Sequence, residues 1–323
     1  MYMLQISTYG DPTEVVGLVE APEPGNPKAN EALVAVEYSP INNSDLLTIR
    51  GRYGVRPALP SGLGNEGVGR ILTVGAGVDH LRVGDRVVIS APRSTWREQV
   101  ILPATGLFPL PPGADPQQLA MLSINPPTAG LLLSEYVTLA PGDWVLQNAG
   151  NSGVGRSVIA FAKDRGLRTV SLVRRTELID ELVAAGGDVV LLDGAEAVAQ
   201  VAQATGNAKI ALALDGVGGE SLRFLASSLA PGGLVVIYSA TSGKPGFVNP
   251  LDIIFRDVAI RGFWLDAPAF RHSPKVLEAL KTGARLIAEG KLHAPVAATY
   301  PLTAAKEALT HAQNGGKVLF DLS

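Results

Sequence analysis

The sequence predicts an α/β protein of two domains, a partly open β-barrel and a six-stranded doubly wound sheet. Three observations predict it. The first third of the chain is a series of short apolar runs broken by Gly and Pro, the spacing of barrel strands. From about Ser123 apolar runs alternate with helical periodicity, the pattern of a parallel sheet. A glycine-rich turn, Gly150-Asn151-Ser152-Gly153-Val154-Gly155, then joins the first of the later strands to a helix.

Taken in order, the barrel strands are read in "ALVAVEYSP", "EGVGRILTVGAGV", "GDRVVIS" and "EQVILP". Six sheet strands are read at residues 144–147, 169–173, 189–192, 210–215, 233–238 and 258–263, the number a full doubly wound domain needs. Between the first two, a helix over 154–165 gathers Val154, Val158, Ile159, Phe161 and Ala162 on one face. A helix over 273–289 follows the last strand, and "GGKVLFDL" reads as a final strand returning to the first domain. The boundaries expected are therefore 1–122 with 266–323 for the barrel domain and 123–265 for the sheet domain.

Composition removes several functions. At 323 residues, with 46% hydrophobic and 18% charged residues, the chain can bury two cores and is not a disordered segment. A net charge of −3 argues against a polyanion-binding groove, so nucleic acid is not expected as a partner. With no cysteine there is neither a disulfide framework nor a thiolate metal site. The N-terminus "MYMLQISTYGDP" has no basic stretch leading into an apolar core, and no apolar run approaches a membrane span, so a cytoplasmic protein without membrane contact is expected.

Against the GxGxxG pattern the middle glycine of the turn is Ser152, and alone the motif fits either a tight strand-to-helix turn or a phosphate cradle. Its setting favours the cradle, because N–H groups at a helix N-terminus following the first strand of such a sheet bind a pyrophosphate. Where the second strand ends, an acidic residue would accept from the ribose hydroxyls of NAD, yet Arg174 and Arg175 stand there. Two forked cations suit a 2′-phosphate, so NADPH is the cofactor expected.

"SPINNSDLLTIRGRYGVRPALPSGLGNEGVGRI", "TWRE", "INPPTAG", "QNAGNSGVG", "RGFWL", "HSP" and "GGKVLFDL" together resemble the medium-chain dehydrogenase/reductase superfamily along nearly the whole chain. More narrowly, they are similar to its zinc-free trans-2-enoyl thioester reductases and their quinone-reductase relatives. The resemblance implies a GroES-like barrel beside a Rossmann domain. In the metal-dependent branch a Cys before "SD" and a His before "EG" hold zinc; here Asn42 and Asn65 occupy those positions, and His80, His272, His293 and His311 are scattered, so no metal is expected. Asn42, Asp45, Asn65 and Glu66 are expected to hold their loop by hydrogen bonds.

The resemblance further implies that Tyr53, in "RGRYG", is the acid that protonates the α-carbon after hydride reaches the β-carbon. Asn125 would approach the nicotinamide, and Gly150, Asn151, Ser152, Gly153, Val154 and Gly155 would meet the pyrophosphate. Tyr238, Ser239, Ala240 and Thr241, with the main chain of Phe263, Trp264, Leu265 and Asp266, would line the nicotinamide pocket, and Lys317 would lie near the ribose and phosphates. "YSAT" stands where glycines are frequent, and Thr176 where a base is. Asn42 would lie at the acyl pocket, and Thr95, Trp96 and Arg97 either shape that pocket or start a strand; Arg271 and Lys275 read as solvated surface, with contact to a pantetheine-linked phosphate as the alternative. Tyr38, Tyr136 and Tyr300 are expected to be structural. A homodimer through the nucleotide domains is also implied.

The expected activity is NADPH-dependent reduction of an enoyl thioester carried by CoA or acyl carrier protein. Two alternatives stay open at this point. One is NADPH-dependent quinone or enone reduction, since quinone reductases carry a similar "GxY" element. The other is a non-catalytic NADPH-binding protein with weak single-stranded RNA affinity, against which the acidic balance counts.

Overall fold

Short apolar runs become strands where backbone pairing and burial of one or both faces coincide. The computed structural model describes residues 1–90, 94–271 and 273–323. In chain order the strands are β1 (Tyr2–Ile6), β2 (Val16–Glu20), β3 (Glu31–Pro40), β4 (Ser61–Gly62), β5 (Glu66–Val74), β6 (Arg86–Ser90) and β7 (Gln99–Pro103). Six more follow as β8 (Trp144–Gln147), β9 (Arg168–Val173), β10 (Val189–Leu192), β11 (Leu212–Asp215), β12 (Leu234–Ile237) and β13 (Ala259–Gly262). The last two are β14 (Val296–Tyr300) and β15 (Lys317–Asp321). Two compact units result, Met1–Ile124 with Ala294–Ser323, and Asn125–His293.

In the first unit β3 is the organising strand. Ala32, Val34 and Val36 alternate inward, and the strand is long enough for one edge to serve two partners. Its first half pairs with β7 and its end, Tyr38 to Pro40, with β15, while β5 and then β6 continue the sheet on the other side. β14 lies outside β15, so the sheet runs β14-β15-β3-β5-β6 and stays open, as the sequence suggests. Val34, Val36, Ile71, Val87, Ile89 and Leu102 fill its inside. A second cluster, Leu4, Ile6, Ile49, Trp96 and Phe320, lies under a small sheet of order β2-β1-β4.

The second unit is a six-stranded parallel sheet of order β10-β9-β8-β11-β12-β13. Its central strands are buried along their length, as strands covered by helices on both faces must be. The strand order reverses between β8 and β11, and the crevice beyond the C-terminal ends there is where such sheets take ligands. All six strands fall within two residues of their expected ends.

Residues 266–293 lie with the second unit rather than the first. The helix Pro274–Ala288 buries Ala279, Leu280, Gly283, Ala284, Leu286 and Ile287, and it packs on the helix Asn125–Ser134 at Gly130. A side chain on Gly130 would come within 2.9 Å of Ala279 Cβ. The apolar stripe announced a buried face, but a stripe does not name its partner.

Candidate active site

In the second unit the chain leaves β8, turns at Ala149 (φ +48°) and enters the helix Gly153–Asp164. Ser152 is its N-cap, Oγ accepting the Gly155 N–H at 3.1 Å. The serine in place of the middle glycine is thus a cap. The three glycines answer to close packing: a Cβ would lie 2.7 Å from Ser171 Cβ at Gly150, 2.5 Å from Asn125 Nδ2 at Gly153, and 2.6 Å from the Ala149 and Gly150 carbonyl oxygens at Gly155. Among the described residues the N–H groups of Gly153 and Val154 have no acceptor, so the helix start presents open donors and the positive end of its dipole.

Beside the turn, Asp215 at the end of β11 is wholly buried. Its Oδ1 accepts from Asn148 Nδ2 (2.7 Å) and from the N–H groups of Val217 and Gly218 (both 2.8 Å), and Asn148 Oδ1 accepts the Gly216 N–H at 2.7 Å. Asn148 Nδ2 also donates to Ser221 Oγ, which donates to Asp193 Oδ2 at 2.6 Å. This network, tying β8, β10 and β11 together across the reversal, was not read from the sequence; a polar residue just past each apolar run ("QNAG", "LLDG", "LDG") was its signal. Tyr238 reaches back over Gly216, where a Cβ would meet its hydroxyl at 2.5 Å. Burial pushes that phenol up to about 12, the nearby Ser152 hydroxyl pulling the other way without forming a well-made hydrogen bond. Ser239 donates its N–H to Asp215 O, and Thr241 donates N–H and hydroxyl to Gly216 O, so this segment, Ala240 included, folds back along the crevice.

Arg174 and Arg175 are exposed just past β9 and form no ion pair among the described residues. Asp193 is driven upward chiefly by burial, and Arg174 partly offsets this. Phe263 is a core side chain, its ring 5.0 Å from Phe270, while its N–H donates to Ile237 O at 2.8 Å. Trp264 and Leu265 are half-buried. Lys275 pairs with Glu135 and Arg271 is exposed. The donors and small residues of this crevice fit a dinucleotide: open N–H groups for a pyrophosphate, two exposed guanidinium groups for a further phosphate, and a buried hydroxyl over Gly216.

In the first unit Tyr53 is half-buried in the loop after the helix Asn43–Ile49. Asn42 caps that helix within a buried network: its N–H donates to Asp45 Oδ2 and its Nδ2 to Glu66 Oε1, both at 2.8 Å, and its Oδ1 accepts from Lys317 Nζ at 2.6 Å. Glu66 Oε2 accepts the N–H groups of Ser123 and Ile124. Burial raises Asp45 to about 7, its chief cause, and raises Glu66 against the pull of Lys317. Burial lowers Lys317, opposed by the two carboxylates. The structure thus joins Lys317 and Asn42, which the sequence assigned to cofactor and acyl pocket respectively.

Three residues expected at the acyl pocket follow β6 in the first unit. Trp96 is 0% exposed, donating Nε1–H to Pro40 O (3.3 Å) and meeting Phe320 edge-on at 5.0 Å, so its side chain is part of the core. Thr95 is buried, its hydroxyl bound to Glu66 O and Ser39. Arg97 is half-buried with its guanidinium against Met3 Sδ. Tyr136 donates to Gly262 O, and Tyr300 meets His311 at 3.0 Å. His272 lies outside the described residues. A metal fits poorly here: Asn42 is already engaged on both amide atoms, and among the described residues no three His, Asp or Glu are grouped to hold an ion.

Residues 28–112 match the alcohol dehydrogenase GroES-like domain and residues 153–287 the zinc-binding dehydrogenase domain. The chain is 36% identical over 313 residues to the mitochondrial enoyl-[acyl-carrier-protein] reductase of Mus musculus, covering 95% of this chain and 84% of that one. Among solved structures it superposes on the Etr1p complex with NADP and crotonyl-CoA (TM-score 0.86, 25% identity) and on a mycobacterial quinone oxidoreductase (TM-score 0.84, 26%), each over 99% of both chains. By sequence along nearly its whole length and by fold, the chain belongs to the medium-chain dehydrogenase/reductase family, among its enoyl thioester and quinone reductases.

Proposed function

We propose that the protein reduces the C2=C3 double bond of a trans-2-enoyl thioester with NADPH. The observation that carries this reading is the likeness, over 95% of the chain, to a protein named for enoyl-[acyl-carrier-protein] reduction. The complex of its structural neighbour with NADP and crotonyl-CoA supports the cofactor and the substrate class.

NADPH, when bound, supplies the hydride taken up at the β-carbon. The chain's residues do the rest. The N–H groups of Gly153 and Val154 hold the pyrophosphate at the positive end of their helix, and Arg174 with Arg175 holds the 2′-phosphate. Asn125, whose amide sits against Gly153, orients the nicotinamide end together with the Tyr238–Thr241 segment. Hydride addition leaves negative charge on the α-carbon and the thioester oxygen; Tyr53, whose phenol carries a transferable proton, delivers it to that carbon. The network of Asn42, Asp45, Glu66 and Lys317 fixes the start of the helix that leads into the Tyr53 loop.

The test is turnover by the Tyr53→Phe variant. With crotonyl-CoA it should fall by roughly 10² or more while NADPH affinity holds, the size of a lost general acid. Turnover at the wild-type level removes Tyr53 from the mechanism. A second reading, quinone or enone reduction, is favoured by the mycobacterial neighbour. NADPH oxidation with crotonyl-CoA, an enone and a naphthoquinone in parallel decides between them.

We also infer a homodimer. Among the described residues the outer edge of β13 is unpaired and exposed, Ile260 included, and the helix Pro250–Arg256 leaves Ile254 67% and Phe255 76% exposed, apolar surface of the kind that marks an interaction site. For localisation we keep the cytoplasmic reading, to be checked by cell fractionation; among the described residues no helix is long and apolar enough to cross a membrane.

A further inference from the structure

Tyr53 lies on a loop that the chain fastens from a distance. The helix Asn43–Ile49 ends at Arg50, and Gly51 N–H donates to Thr48 O and Arg52 N–H to Leu47 O, which anchors the loop at its start. Its far side has no strand until Ser61. What spans it is Tyr9, from the turn after β1. The Tyr9 hydroxyl donates to Pro57 O, 48 residues on. The Tyr9 ring lies under Gly51, where a Cβ would come within 3.1 Å of Cγ, and the Arg56 guanidinium stacks on the ring at 4.6 Å from its centroid. Gly51 has φ +66°, a conformation and a proximity that both demand glycine. The turn bearing Tyr9 is itself tied to the helix, Gly10 N–H donating to Ile49 O at 3.1 Å. One aromatic side chain therefore touches the loop on both sides of Tyr53, at Gly51 before it and at Arg56 and Pro57 after it.

We propose that Tyr9 is the positioning residue of the Tyr53 loop, holding the phenol where it donates its proton. The inference rests on the enoyl reductase reading for its catalytic consequence, but the hold on the loop stands on geometry alone. Packing of an aromatic ring between a glycine and a guanidinium fixes distance, and the hydroxyl bond to Pro57 fixes register; neither contact touches substrate. Loss of Tyr9 should leave cofactor binding unaltered and lower the rate of proton delivery.

Two measurements test it. The first is limited trypsin digestion of the folded protein, which reads opening of the loop through cleavage after Arg50 and Arg52. Tyr9→Ala should raise that cleavage rate by about 10-fold or more, and Tyr9→Phe, which keeps the ring and loses the hydroxyl, by roughly 3-fold. The thermal midpoint, measured in parallel, separates loop opening from general unfolding, and Arg56→Ala supplies a third variant outside the core. The second is a double-mutant cycle on crotonyl-CoA turnover. Tyr9→Ala should lower kcat about 10-fold with the KM for NADPH unchanged, and should cost nothing further in the Tyr53→Phe background, as coupled sites require. Wild-type cleavage in Tyr9→Ala and Arg56→Ala overturns the hold on the loop. An equal loss of kcat with and without the Tyr53 hydroxyl overturns the positioning role. Full turnover by Tyr53→Phe alone instead overturns the functional reading of the donor and its positioning together, while the digestion still decides whether Tyr9 restrains the loop.

Discussion

Asp45 carries the clearest titration in the protein. Its carboxyl is buried beside Glu66, which raises it from 3.8 to about 7, burial being the larger cause. The unfolded chain therefore releases this proton before the folded one does. Stability is greatest below about pH 4 as far as this group is concerned, falls by ~1.4 kcal/mol per pH unit between the two values, and is level again above about 7. Asp45→Asn keeps an acceptor for the Asn42 N–H and removes the titration. Denaturant melts at pH 5 and pH 8 should show the variant gaining on the wild type at the higher pH; a constant difference would mean that Asp45 does not hold a proton in the fold. At the same scale, Arg174→Ala should raise the KM for NADPH by about 10-fold and leave that for NADH alone, since a charge-assisted bond to a phosphate present in only one of them is lost.

The helix Gly153–Asp164 shows how one element can meet structural and chemical demands at once. Ser152 caps it, Gly155 lets it rest on the preceding turn, and Arg156, 7% exposed, pairs with Glu181 of the neighbouring helix. Gly155→Ala would drive a methyl into two backbone carbonyl oxygens, which cannot give as a flexible side chain can. The helix start would have to move, so the expected outcome is a loss of stability of about 1–3 kcal/mol together with weaker NADPH binding. Calorimetric unfolding and a cofactor titration check the two parts separately. Ser152→Ala removes only the cap and should cost about 1 kcal/mol.

Legibility in the sequence followed the reach of the signal. Strands of the parallel sheet were legible because both faces are buried, so "WVLQ" and "LALD" stand out against the turns that bound them. The glycine turn was legible by its position after such a strand. Pairings made by distant side chains were not: nothing in "GGKVLF" says that Lys317 will donate to Asn42, 275 residues away, and nothing in "TWRE" separates a tryptophan that packs on Phe320 from one that lines a pocket. Likewise, nothing in the apolar stripe of the helix Pro274–Ala288 says that it packs on the helix Asn125–Ser134.

For the whole molecule, the exposed edge of β13 and its apolar neighbours make association the first property to measure. Phe255→Asp with Ile254→Asp should give a monomer by light scattering if that face joins two subunits, with the melt of the isolated subunit otherwise preserved.

The route of the chain carries a consequence for its birth. The ribosome releases residues 1–124 long before β15 exists to lie beside β3 and before Phe320 can meet Trp96. The nascent N-terminal unit must wait, unfinished, while the uninterrupted stretch Asn125–His293 has every strand it needs and can fold first. A fragment of residues 125–293 should accordingly fold unaided, whereas one of residues 1–124 should stay incompletely folded until a peptide of residues 294–323 is added.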